Sequence, residues 1–399
     1  REGQCEAQES LDILRRWHIS TLASRLGKLG TMIAQETGTV LEHRDAWPGV
    51  CRVWAALDSD GARVSALAYL DMVAAPAVGD RLLLNTNALR KSLGTGGDAF
   101  IIANLDACER GELPEGHMMK ARYTPQQMMV DAIDDPASPA HEAIDAVESL
   151  DGMSVIVAGL HSAVGPIAAG FHAVRPGARL VYVHTDWAAL PVAYSRANAR
   201  LREEGILSAT ISAGQSFGGD AEAVSVPSAL AAARAHFEAD AVIVAQGPGN
   251  LGTGTRWGFG SIAVADALHA AAAMGARAIC APRVSEADPR SRHVGLSHHS
   301  RTVLERMLFA GVELPSLSPP ERSDIDLEIA ESYAHINSVR AARRLPAHRI
   351  TAMSGEGLEN AVRALPIRVS TMGRGLEEDR ASFLYSALAG RLAAEASTV

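Results

Sequence analysis

The chain has 399 residues, 47% hydrophobic and 21% charged, with a formal net charge of -9. That balance provides for more than one apolar core and excludes a wholly disordered chain or a collagen-like fibre. The negative charge gives no footprint for a nucleic-acid partner, and no stretch reads as a membrane span, so neither polymer nor bilayer is expected.

Four cysteines (Cys5, Cys51, Cys108, Cys280) form no C-x-x-C pair. They fit a reducing, cytoplasmic setting better than a disulfide scaffold or a zinc ribbon. Residues 1–30 carry charges throughout, lack the apolar core of a secretory signal, and space leucines as an amphipathic helical leader. Residues 31–116 turn to short apolar runs separated by Asp58-Ser59-Asp60-Gly61 and Val78-Gly79-Asp80, the pattern of a small barrel or sandwich. Residues 117–150 read as a helical connector, because Thr124-Pro125-Gln126-Gln127 and Ser138-Pro139 look like helix starts.

From residue 151 to 311 strand-like and helix-like segments alternate. The strands are Met153–Leu160, Arg179–His184, Ile206–Ser212, Asp240–Ala245 and Arg277–Ala281. Continuously apolar strands of this kind indicate an α/β domain, with a doubly wound parallel sheet covered by helices on both faces. Pro315, Pro319 and Pro320 mark a break, and residues 312–399 read as a mainly helical segment that completes the α/β domain, with one strand at His348–Met353.

In an open parallel sheet, ligands bind beyond the carboxyl ends of the strands. Every such end here hands over to polar or glycine residues. His161-Ser162 follow the first strand and His184-Thr185-Asp186 the second. Ser216 and Asp220 lie after the third, in a G-x-S-x-G pattern from Gly214 to Gly218. That pattern resembles a nucleophile elbow, although an elbow passes straight into a helix. After the fourth strand come Gly247, Gly249, Asn250, Gly252, Thr253, Gly254, Thr255 and Arg256. Glycine backbone, threonine hydroxyls and a guanidinium suit phosphate or carboxylate. A nicotinamide site is disfavoured, since Pro248 removes a donor and no acid follows at the next strand's end; a P-loop lysine is absent. After the fifth strand come Arg283, Glu286 and Asp288, then His293, His298 and His299.

Asp186, Glu286, Asp288 and His298 are therefore the acid/base candidates. His161, Ser162, Ser216, Asp220, the glycine loop, Arg283, His299 and Lys120 are candidate ligand contacts. Among Asp186, Glu286, Asp288, His161 and His298 at least one close carboxylate–imidazole pair is expected. A divalent metal stays open as a cofactor, but no metal ligand is assigned. Adjacent His298 and His299 point about 100° apart on a helix and rarely share an ion.

Four longer segments are Gly116–Pro125, Gly247–Phe259, Val284–Ser300 and Ser370-Thr371-Met372-Gly373-Arg374-Gly375. Together they resemble an uncharacterised bacterial family of unknown function, over about Thr31 to Leu392. The resemblance implies no activity, cofactor or catalytic residue. The residues themselves point to a hydrolase or group transferase acting on a small anionic or phosphorylated metabolite, or alternatively to a non-catalytic sensor with the same pocket. A homo-oligomer remains open.

Overall fold

The computed structural model describes residues 32–91, 97–107, 111, 114–319 and 321–395. The leader expected at residues 1–30 lies outside them. The described chain divides into two compact units, residues 32–46 with 51–107, and residues 47–50 with those from 111 onward.

The first unit is a closed barrel of five strands: β1 (Gln35–Trp47), β2 (Val50–Leu57), β3 (Arg63–Tyr69), β4 (Arg81–Asn85) and β5 (Asp98–Asn104). Their order is β1-β2-β3-β5-β4, with β1 pairing back on β4 and β3 running parallel to β5. Alternation sends Val53, Ala55, Ala66, Ala68, Leu82, Leu84 and Ala99 inward. A five-stranded barrel is narrow, so alanine recurs among those residues. A Cβ on Gly38 would sit 2.6 Å from the Ala56 carbonyl oxygen, which fixes glycine where β1 crosses β2.

The second unit opens with a hairpin, β6 (Met118–Lys120) and β7 (Met128–Val130), followed by a short helix at His141–Asp145. The expected helix start at Thr124 is instead the hairpin turn. Ala121 and Tyr123 take φ of 48° and 60°, and the Thr124 hydroxyl donates back to the Ala121 carbonyl. A β-capable Met-Met pair on each side outweighs the local capping signal.

The main sheet has eight strands, all parallel: β8 (Ser154–Ala158), β9 (Leu180–Thr185), β10 (Ala209–Ala213), β11 (Ala221–Ala223), β12 (Ala241–Gln246), β13 (Arg277–Ala281), β16 (Glu313–Leu317) and β17 (Arg349–Met353). A small hairpin, β14 (Val284–Ser285) with β15 (Gly295–Leu296), stands between β13 and β16. The sheet order is β11-β10-β9-β12-β8-β13-β16-β17. The chain thus leaves β8 in one direction and returns past it through β12, so the order reverses around β8. Every residue of β8, β9, β10 and β12 is buried, as continuous apolar strands require.

Eight helices of this unit matter here: α1 (Val164–His172), α2 (Arg196–Glu203), α3 (Val226–Ala235), α4 (Val264–Ala273), α5 (His298–Thr302), α6 (Asp324–Ala342), α7 (Leu358–Arg363) and α8 (Arg380–Glu395). The Pro315 break is a strand after all. β16 meets β13 through one residue pair, Ile279 with Glu313, while β17 supplies the full ladder on its other side. Beyond Glu313 no ladder toward β13 needs the missing proline donor.

Helix α1 lies directly on α8. A Cβ at Gly170 would overlap the Ala387 carbonyl, and one at Gly390 would overlap the Ile167 carbonyl. Neither backbone can retreat, because both helices also pack into the central core. Gly170→Ala should therefore destabilise the protein by about 1–3 kcal/mol, as overpacking does. Urea unfolding checks it, and an unchanged midpoint would contradict the close approach.

Candidate functional site at the strand ends

At the carboxyl ends of β8, β9 and β10 the side chains settle into imidazole–hydroxyl pairs, half-buried at His161 and buried at His184. His161 Nε2 lies 2.6 Å from Ser195 Oγ, and its Nδ1 lies 3.3 Å from the Tyr182 hydroxyl. His184 Nδ1 lies 2.5 Å from Ser216 Oγ. The Ser216 hydroxyl donates to the Leu190 carbonyl, so the shared proton at His184 belongs to Nδ1. His184 Nε2 is then a bare acceptor, buried and without a partner; the Gln246 Oε1 acceptor and the Thr185 hydroxyl beside the same strand ends are likewise buried and unpartnered. Burial pushes His161 down to about 4 and His184 to about 3, so both are neutral.

This arrangement corrects the elbow reading. Ser216 is fully buried and leads into strand β11, not a helix, so it orients His184 and presents no nucleophile. Asp186 accepts the Gln215 N–H at 2.8 Å, locking the same turn. Asp220 forms a two-bond pair with Arg202 (2.9 and 2.8 Å) and accepts the Thr210 N–H, a structural clasp at the sheet's edge. Lys120 is completely buried, 3.1 Å from Glu222 and donating to the Gly214 carbonyl at 2.8 Å, so it does not reach a ligand. Burial lowers the lysine and raises the glutamate.

Past β13 an ion-pair network takes over. Arg290 holds Asp288 through two bonds of 2.9 Å, Arg283 approaches it at 3.3 Å and Arg374 at 3.5 Å. Arg374 also meets Asp379 at 3.0 Å, and Asp379 accepts the Ser285 hydroxyl at 2.7 Å and the Glu286 N–H at 3.0 Å. The hydrogen bond from Arg290 holds the Asp288 carboxyl far below the usual carboxylate range. A carboxylate so held is a poor proton acceptor, and Asp288 serves to anchor arginines. Glu286 is spent on the Ala381 N–H at the start of α8. Burial brings Arg283 down to about 10, still charged.

Three histidines gather against this network. Ring centroids are 4.8 Å apart for His293–His298, 4.9 Å for His293–His299 and 4.3 Å for His298–His299. One ring nitrogen from each lies within 4.8 Å of the other two. His298 and His299 stand in the first turn of α5, and His293, from the turn within the β14–β15 hairpin, packs against both rings. Ser297 organises the turn, accepting the His299 N–H and pairing with His293 Nδ1 at 2.7 Å. Phe259 stacks on His299 at 4.0 Å and 5°. Desolvation, and then the charges of Arg283 and Arg290, lower His293 to about 3; desolvation, and then His298 and Arg283, lower His299 to about 3; His298 is lowered by burial and Arg292. The expected carboxylate–imidazole pair does not form among the five side chains named for it. His161 meets the Ser195 and Tyr182 hydroxyls instead, and His298 Nε2 has no hydrogen-bond partner.

The glycine loop closes on itself. Thr253 and Thr255 hydroxyls hold the Gly258 backbone, at 3.3 and 3.1 Å. A Cβ on Gly258 would collide with both hydroxyls, which is why glycine stands there. Asn250 receives the Ser261 N–H at 3.1 Å. Arg256 remains exposed at the tip. At the centre of the rim, between β8 and β13, Ser162, Arg283, Ser382 and Ser386 line a crevice of only about 10 Å³, with room for a water. Beside it, Arg256, His298, Arg301, Thr302, Glu305 and Arg306 line a depression of about 210 Å³. Arg290, Arg301, Arg306 and Arg374 were not singled out from the sequence. Arg374 arrives from a turn 86 residues from Asp288 in the chain; the sequence shows it only as part of the Ser370–Gly375 segment, with no sign of its partner.

An all-parallel α/β sheet with arginines and histidines at its reversing strand ends defines a class of architecture, not an activity. The chain belongs to the family described as Protein of unknown function (DUF3866), whose model matches residues 65–390. No curated protein and no solved structure matches it. Among the described residues no helix is long and apolar enough to cross a membrane.

Two outcomes follow from the electrostatics. Asp288→Asn should cost about 3 kcal/mol, because it leaves the buried Arg283 without its nearest counter-charge. A wild-type melting temperature for that variant would contradict the anchoring role. His161, His184 and His348 are neutral when folded, with values pushed to about 4, 3 and 4. Below pH ~6.5 the unfolded chain binds protons that the folded chain refuses, so stability should fall as pH drops from ~6.5 toward 4. His348→Asn should flatten that slope in urea titrations; an unaltered slope would show that His348 does not contribute.

Proposed function

We propose that the protein is an enzyme of the hydrolase or group-transferase type, acting on a small anionic or phosphorylated metabolite at the carboxyl-end rim of the sheet. The observation that carries this reading is the depression beside His298. Three guanidiniums line it against one carboxylate, Glu305, which is already paired with Arg306 at 2.7 Å. Arg301 donates to Ser332 at 3.1 Å and so holds its fork in place. Arg256 projects from a loop whose threonines fix its backbone. Five fixed donors per guanidinium suit a bidentate oxyanion. His298, neutral and with Nε2 buried and unpartnered, is the group left to carry a proton.

A non-catalytic sensor is favoured by one observation. Asp186, Glu286 and Asp288 are all engaged in structural bonds, so no free carboxylate stands beside His298 as a second proton carrier.

A thermal-shift panel of nucleotides, sugar phosphates and small dicarboxylates tests both readings, since a ligand that binds only the folded state raises the midpoint. Arg256→Lys should weaken the ligand so found by about 1–3 kcal/mol while leaving the ligand-free midpoint in place. Unchanged affinity would remove Arg256 from the site. Turnover of that ligand separates enzyme from sensor.

A further inference from the structure

The histidine cluster carries an inference of its own. We propose that His293, His298 and His299 form a three-imidazole site for a divalent transition-metal ion of the zinc class, with a fourth position open to an anion. The inference rests on the cluster and not on the oxyanion depression; where it holds, His298 Nε2 is a metal ligand and the proton-carrying role given to it above falls.

Three features support it. The ring nitrogens already lie within 4.8 Å of one another. A tetrahedral ion with bonds of about 2.0 Å brings its ligands closer than that, and small side-chain rotations suffice. Two rings are held by neighbours: His293 by Ser297 through Nδ1, and His299 by the stacked Phe259. Fixed rings limit the ordering that binding requires. Finally, His298 Nε2 is sealed from solvent with no hydrogen-bond partner, a state that costs free energy unless something occupies that nitrogen.

The nearby arginines decide what completes the site. Arg283 lies 3.4 Å from His299 Nδ1, and Arg290 and Arg374 share Asp288 with it. Three neutral ligands leave the ion its full charge. Beside guanidiniums, such an ion is stable with an anionic fourth ligand and less so with a neutral one. This selects hard oxyanions, phosphate or carboxylate, for the open position. Hard, oxygen-seeking alkaline-earth ions are excluded by the all-nitrogen donor set.

The test uses full-length, tag-free protein treated with chelator and then titrated with Zn²⁺ or Co²⁺ alone. Calorimetry should give one equivalent, and Co²⁺ should develop the visible absorption of a low-coordinate nitrogen site. His298→Ala and His293→Ala should each weaken binding by at least about tenfold. His236→Ala, at an exposed histidine elsewhere, should not. If His293→Ala fails to fold, the half-buried His298→Ala decides. No stoichiometric binding, or a folded His298→Ala variant that binds like wild type, overturns the proposal. Adding inorganic phosphate to the Co²⁺ form should shift its spectrum; an unshifted spectrum would overturn the open anionic position.

Discussion

The rim of this protein depends on one buried carboxylate. Asp288 is shared by Arg290, Arg283 and Arg374, which come from the β14 loop, the end of β13 and the turn before α8. Without it three cations would crowd one another around Arg283, whose side chain is only 9% exposed and so poorly screened. With it, the hairpin, the central strand and the C-terminal segment meet at one point. That junction sets the position of the β15–α5 connection, and hence of the three histidines and the depression beside them. Asp379 extends the same logic by tying Arg374 to the backbone of Glu286 and to Ser285.

The tight centre and the open flank of the rim follow from that junction. Between β8 and β13 the C-terminal helix α8 brings Ser382 and Ser386 down onto the strand ends, and the crevice left is water-sized. The strand-order reversal around β8 would place a ligand there in an open sheet of this kind. Here the accessible space lies to one side, against α5 and the glycine loop. The side chains left at the centre are neutral imidazoles bonded to hydroxyls.

The central strands were legible in the sequence because a covered parallel strand is apolar at every position, and Val155, Ile156, Val157 or Val242, Ile243, Val244 leave no other reading. The alternation of strand and helix was legible with them, and in the structure Ser225 and Ser297 cap two of those helices by accepting the Ser228 and His299 N–H groups. What escaped was decided by distant partners. Pro315 looks like a break until β17 supplies the ladder on its far side. Thr124-Pro125 looks like a helix start until two Met-Met segments pair across it. Lys120 looks like a free cation until Glu222 meets it in the interior. The histidines were visible as a cluster in sequence, but their convergence depends on His293 folding back, which no spacing rule encodes.

The central claim is that the functional surface is the flank formed by residues 251–260 and 297–306. Amide hydrogen exchange in the presence and absence of millimolar pyrophosphate addresses it directly, because a bound oxyanion slows exchange in the backbone that holds it. The account predicts added protection confined to those two segments, and its loss in an Arg256→Ala variant. Protection confined instead to the barrel, or to the acidic groove around Asp131, Asp220 and Glu222, would contradict it.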